Sequence, residues 1–217
     1  MSAHSGHPSG PGPASPAGAA EFRRAVAEVE RGMTAQRLLR RELRLEAETP
    51  PRRLAPFAYA VAATASATPG DAGAEIGWGR LVLLFDAAGQ PGWDGKHRII
   101  GYVRAELEPE IAADPLINEV GWSWLTEALD GRTTGYRNIS GTVTTVVTQG
   151  FGSKQDEPTS TSFELRASWS PELSGASSAG LDGHLAAWCD VVCLAAGLPP
   201  PAPGLAALRP PRRRPRP

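Results

Sequence analysis

Three segments of the chain carry apolar residues at helical spacing. Residues 21–31 form an amphipathic pattern, residues 120–129 are apolar around most of the helix, and residues 181–196 repeat the spacing near the end. Asn118 is the expected N-cap of the second helix. Gly197 is expected to end the third in a Schellman-type stop. The pattern therefore predicts three main helices.

The helix at 120–129 contributes most to the predicted core. Trp122, Leu125 and Leu129 share one face, and Trp124 lies on the neighbouring stripe. Large aromatic side chains at such positions are most often buried. From this helix and the last one we predict five core side chains: Trp122, Trp124, Leu125, Leu129 and Trp188.

Alternating or continuous apolar runs predict five strands. They lie at 42–48, 78–86, 98–107, 139–151 and 162–169, and they are rich in β-branched and aromatic residues. The second and third strands, and likewise the fourth and fifth, are separated by loops that suit antiparallel hairpins.

Two segments between the first two strands lack a strand pattern. Residues 54–61, with Pro56 near the first turn, favour a short helix, and residues 64–76 favour an exposed, flexible loop. The order is then α-β-(α)-β-β-α-β-β-α. Because strands arrive in hairpin pairs, we predict an α+β fold whose mainly antiparallel sheet of about five strands packs with three main helices.

Composition divides the chain into one domain and two tails. After Met1, residues 2–20 are Ser, Gly, Pro, Ala and His, and residues 201–217 are mostly Pro, Ala and Arg, so neither segment can form a core. We expect both tails to be disordered and residues 21–200 to form a single α+β domain. The first tail resembles neither a signal peptide nor a membrane anchor, which favours a cytoplasmic protein.

The near-neutral charge of the chain hides an acidic body and a basic tail. The last nine residues contain five arginines and no acid, so 22 basic residues against 23 acidic ones become 17 against 23, a net charge of about −6. Such a tail predicts weak, non-specific contact with nucleic-acid phosphates. The candidate residues are Arg209, Arg212, Arg213, Arg214 and Arg216.

Several motifs resemble an uncharacterised actinobacterial family known only as a domain of unknown function. In chain order they are RLAPFA, GRLVLLFD, YVRAELEPE, DPLINEVGWSWLTEAL, SGTVT and AAGLPP. The resemblance runs from about Phe22 to Pro200 and implies no activity and no catalytic residue. It does imply genes standing beside a ribonuclease D-like gene. Separately, the element order resembles the fold of type III secretion chaperones, which is an analogy of order alone.

The candidate chemistry is sparse. Gly77-Trp-Gly79 precedes a strand and lacks a third glycine, so it does not predict a dinucleotide site. Cys189 and Cys193 lie four residues apart on the last helix and favour small core residues over a zinc site or a redox pair. His97 follows a turn and is expected at the surface. No cofactor is predicted.

One acidic cluster is the best candidate for metal chemistry. Glu106 and Glu108 alternate around Leu107, so on a strand both carboxylates would face one side and could share a divalent cation, with Glu110 and Asp114 nearby. The alternative is a charged outer face followed by acids at a helix start, which we favour.

Three function classes remain open. A non-enzymatic, chaperone-like module that binds a protein partner or a second copy of itself fits the sparse chemistry. A metal-dependent nuclease or hydrolase would depend on the acidic cluster, and an RNA-metabolism accessory protein on the basic tail and the family's gene neighbourhood. We favour the binding module.

Overall fold

The computed structural model describes residues 15–68, 75–112, 114–173 and 180–198. Residues 1–14 of the tail predicted at 1–20, the whole tail predicted at 201–217 with its basic residues, and the centre of the predicted 64–76 loop lie outside these ranges. The elements, in chain order, are α1 (Pro16–Leu39), β1 (Leu43–Glu48), β2 (Phe57–Ser66), β3 (Glu75–Phe85), β4 (His97–Leu107), α2 (Pro109–Ala112), α3 (Ile117–Arg132), β5 (Tyr136–Thr148), β6 (Ser160–Pro171) and α4 (Leu181–Ala195).

The strands form one antiparallel sheet with the order β1-β2-β3-β4-β6-β5. The first four strands follow one another as a meander. The chain then crosses through α2 and α3 to the far edge, where it forms β5, and returns as β6 between β4 and β5. The fold is α+β, as predicted, with six strands and four helices.

The sixth strand, β2, replaces the short helix predicted at 54–61 and the first residues of the predicted 64–76 loop. Ala60 and Ala62 are buried on one face of this strand, and Val61 and Ala63 are buried on the other. Because both faces are covered, no polar residue marks the alternation. The prediction was wrong because a run of alanines carries no period-two signal.

The first helix begins at Pro16, five residues before the predicted start of the domain at 21. Ser15 is its N-cap, and the hydroxyl oxygen accepts a hydrogen bond from the Gly18 N–H at 3.0 Å. Proline at the first helical position has its φ angle set for a helix and needs no hydrogen-bond partner. These local signals extend the folded body into the Ser/Gly/Pro-rich segment.

The core lies between the sheet and the three long helices α1, α3 and α4, which pack on one face. Leu125, Leu129 and Trp188 are fully buried there. Trp122 and Trp124 are only half-buried, because α3 lies over the outer strands, and they pack against the margin of the core.

Helix α4 approaches the sheet closely because glycines face it. A Cβ atom on Gly79 would lie 2.7 Å from the Trp188 ring and 2.8 Å from Val192, and one on Gly101 would lie 3.3 Å from the Trp188 ring. The Trp188 indole N–H donates to the Tyr102 carbonyl oxygen at 3.3 Å. The glycine pair in Gly77-Trp-Gly79 thus makes room for a helix.

Asp190 connects the three long helices. Its carboxylate pairs with Arg40 after α1, at 3.4 Å, and with Arg132 at the end of α3. The Arg40 side chain is almost fully buried, so these ion pairs also neutralise a buried cation.

Helix α4 ends in the predicted Schellman motif. Gly197 has a positive φ of 70°, and the Leu198 N–H donates to the Cys193 carbonyl oxygen at 2.8 Å. Within the described residues, none of the helices is both long and apolar enough to cross a membrane.

Candidate binding face

The sheet has a second face, which we call the open face. Side chains along a strand alternate between the two faces. Since Gly79 and Gly101 face α4, their neighbours Trp78, Arg80 and Tyr102 lie on the opposite side. In the described part of the chain, no long helix packs on this side.

Strand register arranges the open face in cross-strand rows. Each row takes one residue from each strand and is given in the spatial order β1-β2-β3-β4-β6-β5. Three rows cover the centre of the face: Arg44, Thr64, Trp78, Arg104, Glu164 and Thr144; then Glu46, Ala62, Arg80, Tyr102, Arg166 and Thr142; then Glu48, Ala60, Val82, Ile100, Ser168 and Ser140.

The β3–β4 loop covers one end of the open face. It places Trp93 on Ala60, Val82 and Leu84, and these four side chains form a small second core. Asp86 shapes the loop, since its carboxylate accepts the Ala88 N–H at 3.0 Å. The loop therefore forms one side of a groove on this face of the sheet.

Beside Trp93 lies a groove of about 680 Å³. Apolar side chains form the part nearest the loop, and hydroxyl, phenol and guanidinium groups form the rest. The main lining residues are Leu54, Leu84, Trp93, Arg98, Ile100, Tyr102, Ser140, Thr142, Arg166 and Ser168. This volume is within the range of small-molecule pockets.

Arg98 links the strands at the base of the groove through hydrogen bonds. Its guanidinium donates to the Ser168 hydroxyl at 2.7 Å, to the Ser170 hydroxyl at 3.2 Å and to the Asn138 carbonyl at 2.9 Å. Burial lowers the pKa of Arg98 below its ordinary value. Because its donors are engaged with β5 and β6, this arginine fixes the relation of three strands and is committed to structure.

Tyr102 lies in the groove and contacts both Arg166 and Trp78. The Arg166 guanidinium carbon lies 5.3 Å from the centre of the Tyr102 ring, a cation–π contact, and Arg166 pairs with Glu164 at 2.6 Å. Burial raises the pKa of Tyr102, and the charge of Glu164 and its hydrogen bond with the phenol add to that shift. Trp78 meets the Tyr102 ring edge-on at 5.4 Å.

The arginines of the open face differ in how they are held. Arg80 pairs with Glu48 at 3.2 Å and donates to the Thr49 carbonyl at 2.7 Å. Arg104, between Trp78 and Glu164 in its row, is exposed and has no ion pair with any described residue. Arg104 is therefore the cation on this face that a bound anion can reach without breaking an existing pair.

The structure does not arrange the predicted acidic cluster as a strand pair. Glu106 lies on β4, but Glu108 follows the strand, and its carbonyl accepts N–H groups of α2. Glu110 lies in the first turn of α2, and the Asp114 carboxylate accepts the Leu116 N–H at 2.9 Å. No group of three or more metal-binding side chains occurs in the described ranges.

The cysteines and the central histidines are buried. Burial raises the pKa of Cys189 and raises that of Cys193 to about 12, so both are thiols. His97 is buried against the Phe85 ring at 4.9 Å, and burial lowers its pKa to about 4. Its predicted surface position was wrong, because the first residue of β4 points toward the helices.

Sequence reasoning did not find the groove. The signal was present as polar or aromatic residues at most alternate positions of β4 (Arg98, Tyr102, Arg104) and β6 (Glu164, Arg166), interrupted on β4 by Ile100. If two strands each carry polar residues at alternate positions and are known to pair, those residues indicate an exposed face of the sheet. That pairing joins segments about sixty residues apart and has no local signature.

A comparison with protein families identifies the family of the chain. A family model described as "Protein of unknown function (DUF3000)" matches residues 18–205, which includes all six strands and the three long helices except the start of α1. Neither the curated proteins nor the solved structures contain a match to the chain.

Proposed function

The chain belongs to the DUF3000 family of proteins of unknown function, and we propose from its geometry that it is a non-enzymatic binding module which holds an extended segment of a partner protein in the open-face groove. The groove itself is the observation that carries this proposal. It combines an apolar part with hydroxyl groups, and the exposed Arg104 lies in the cross-strand row next to it.

The groove defines the chemistry of the segment. Ile100 and Trp93 offer apolar contact at one end, while Arg104 offers a positive charge beyond Tyr102. An extended peptide spans about 3.3 Å per residue, so alternate side chains can reach successive cross-strand rows. The preferred segment has apolar side chains followed by a carboxylate.

The charge pattern of the open face favours a peptide over a nucleic acid. Glu164 shares a row with Arg104, Glu46 shares a row with Arg80 and Arg166, and Glu48 pairs with Arg80 from the next row. A polyphosphate backbone places negative charge along its whole length and would meet these carboxylates, whereas a peptide can place a single carboxylate at Arg104.

The proposal includes a cytoplasmic location. Cys189 and Cys193 are free thiols on α4, the form that proteins keep in reducing compartments. A chaperone-like module for a cytoplasmic client fits this setting.

Selection of peptides on the full-length chain tests the proposal. We expect a displayed library of random peptides to yield sequences with apolar residues followed by an acid. Arg104→Glu should weaken their binding by about tenfold or more, since it removes the accessible cation and adds a like charge. Arg24→Glu, an equal charge change on the exposed face of α1, should leave binding unchanged.

Two results would contradict the proposal. One is that enriched peptides bind the Arg104→Glu variant as tightly as the wild type, which would place their site elsewhere. The other is that no peptide is enriched while an RNA oligonucleotide binds the wild type and loses affinity in the same variant, which would make the open face a nucleic-acid surface.

A further inference from the structure

Strand β5 forms one edge of the sheet. It is 13 residues long and pairs with β6 on one side. No strand of the described ranges pairs with its outer side. An exposed edge presents free N–H and C=O groups that readily pair with another strand.

The two edge strands of the sheet differ in the features that protect them from pairing with another strand. The opposite edge, β1, has six residues, carries Arg44, Glu46 and Glu48, and is followed by Pro50 and Pro51. Short length, charge and proline are the usual protections of an edge strand.

Strand β5 has none of these protections along most of its length. Residues 138–150 contain no charged residue and no proline, and residues 142–148 are only threonine and valine. A bulge between Arg137 and Ser140 interrupts only the start of the strand. An edge so suited to pairing is a hazard unless it has a specific partner.

Exposed apolar side chains are concentrated on β5 and on the segments that adjoin it in the chain. Six of the eight large exposed hydrophobic side chains in the described residues lie between residues 111 and 151: Ile111, Leu116, Val120, Val146, Val147 and Phe151. The Thr145 hydroxyl donates to the Asn118 side-chain oxygen at 2.9 Å, which places the start of α3 on the end of β5. Scattered apolar side chains need no explanation, whereas Val146, Val147 and Phe151 lie on this edge strand or just after it, a grouping that indicates an interface.

We propose that β5 pairs antiparallel with β5 of a second copy of this chain, about a two-fold axis at Thr145. In this register Val143 lies opposite Val147 of the second copy, and Thr144 lies opposite its Val146. Directly opposed residues share a face, so β-branched side chains meet β-branched side chains on both sides of the joined sheet.

The neutrality of the strand favours a second copy over a charged client. With no charge in 138–150, self-pairing brings no like charges together, and a charged segment would find no complementary group. The two sheets of six strands become one continuous sheet, in which the open-face grooves of both copies lie on the same side.

The first test is the oligomeric state of the full-length chain across a concentration series, measured by sedimentation. We expect a dimer. Val147→Lys should raise the dissociation constant by about tenfold or more, because the interface would desolvate an unpaired ammonium group. Glu46→Gln changes the net charge by the same amount on the other edge and should leave the dimer unchanged. Circular dichroism melts confirm that both variants fold.

The second test fixes the register. Thr145→Cys places two thiols on the two-fold axis, where the Cα separation of opposed residues permits a disulfide, so mild oxidation should join the two copies. Thr142→Cys should not cross-link, because it lies opposite Thr148. The native Cys189 and Cys193 are fully buried and do not compete. A wild type that is monomeric at all concentrations, or a dimer that neither Val147→Lys nor Thr145→Cys affects, would overturn the proposal.

Discussion

The Trp169 indole N–H donates a hydrogen bond to His184 Nδ1, with 3.2 Å between the two nitrogens, where β6 meets α4 in the core. Both side chains are almost fully buried. Because Nδ1 accepts this bond, the imidazole is neutral and carries its proton on Nε2, for which no described residue provides a partner. Burial lowers the pKa of His184 to about 4.

We predict that His184 makes the fold sensitive to acid. The unfolded chain takes up this proton near pH 6.5 and the folded chain only near pH 4, so the unfolded state binds more protons between these values. The free energy of unfolding therefore falls as the pH drops through this window, by up to about 3 kcal/mol for this residue. Denaturant melts at a series of pH values measure the slope.

The matched variant is His184→Asn, whose side-chain oxygen can replace Nδ1 as the acceptor from Trp169. In this variant the free energy of unfolding should fall less steeply between pH 6.5 and pH 4 than in the wild type. His97, whose pKa is also lowered by burial, should still contribute to the pH dependence of stability in this variant. An unchanged slope in His184→Asn would show that the histidine does not carry the pH dependence.

A second prediction concerns the contact between β3 and α4. Gly79→Ala places a methyl group 2.7 Å from the Trp188 ring and 3.1 Å from the Tyr102 carbonyl oxygen. Neither neighbour can move without shifting α4 or β4, so we expect a loss of about 1–3 kcal/mol in the free energy of unfolding. In Gly95→Ala the added methyl group meets no atom within 4 Å and should change stability by less than about 0.5 kcal/mol. Chemical denaturation compares the two, and equal effects would contradict the packing argument.

A third prediction concerns the ion pairs that join the helices. Asp190→Asn removes the negative charge that pairs with the buried Arg40 guanidinium and weakens the contact to Arg132. We expect a loss of about 2 kcal/mol, below the cost of a fully buried pair because Arg132 is one-third exposed. Glu157→Gln, which breaks an exposed pair with Lys154, should cost less than about 0.5 kcal/mol. Thermal melts of the two variants and the wild type measure both losses. An Asp190→Asn variant as stable as the wild type would show that the pairs are not needed.

The local signals of the sequence were sufficient for most elements. The hairpin of β3 and β4 was predicted from two apolar runs around a Gly/Pro loop, and the end of α4 from Gly197 and Leu198. These features depend on residues that are neighbours in the chain. The start of α3 was less well predicted, because its N-cap is Leu116, while Asn118 lies inside the helix and accepts a bond from Thr145.

The features that define the candidate site are not local. Tyr102 and Arg166 meet because β6 inserts between β4 and β5, and Trp93 closes the groove because its loop folds back over β2 and β3. Hydrophobic periodicity gives the face of each strand but not its neighbours in the sheet. The strand β2 was missed for a related reason, since burial on both faces by small residues removes the polar alternation that marks a strand.

The final prediction concerns the two cysteines, for which the sequence left structural and redox roles open. Cys189 and Cys193 are both fully buried on α4, and burial raises the pKa of Cys193 to about 12. The thiolate is the reactive form, so near pH 8 the folded protein should react with a thiol reagent such as Ellman's reagent only through opening of the core. We expect no reaction on the time scale of minutes in buffer and two equivalents of released chromophore after denaturation. Cys193→Ser provides the comparison and should release one equivalent after denaturation. Rapid reaction of a thiol in the folded wild type would contradict a purely structural role and favour reversible oxidation at α4.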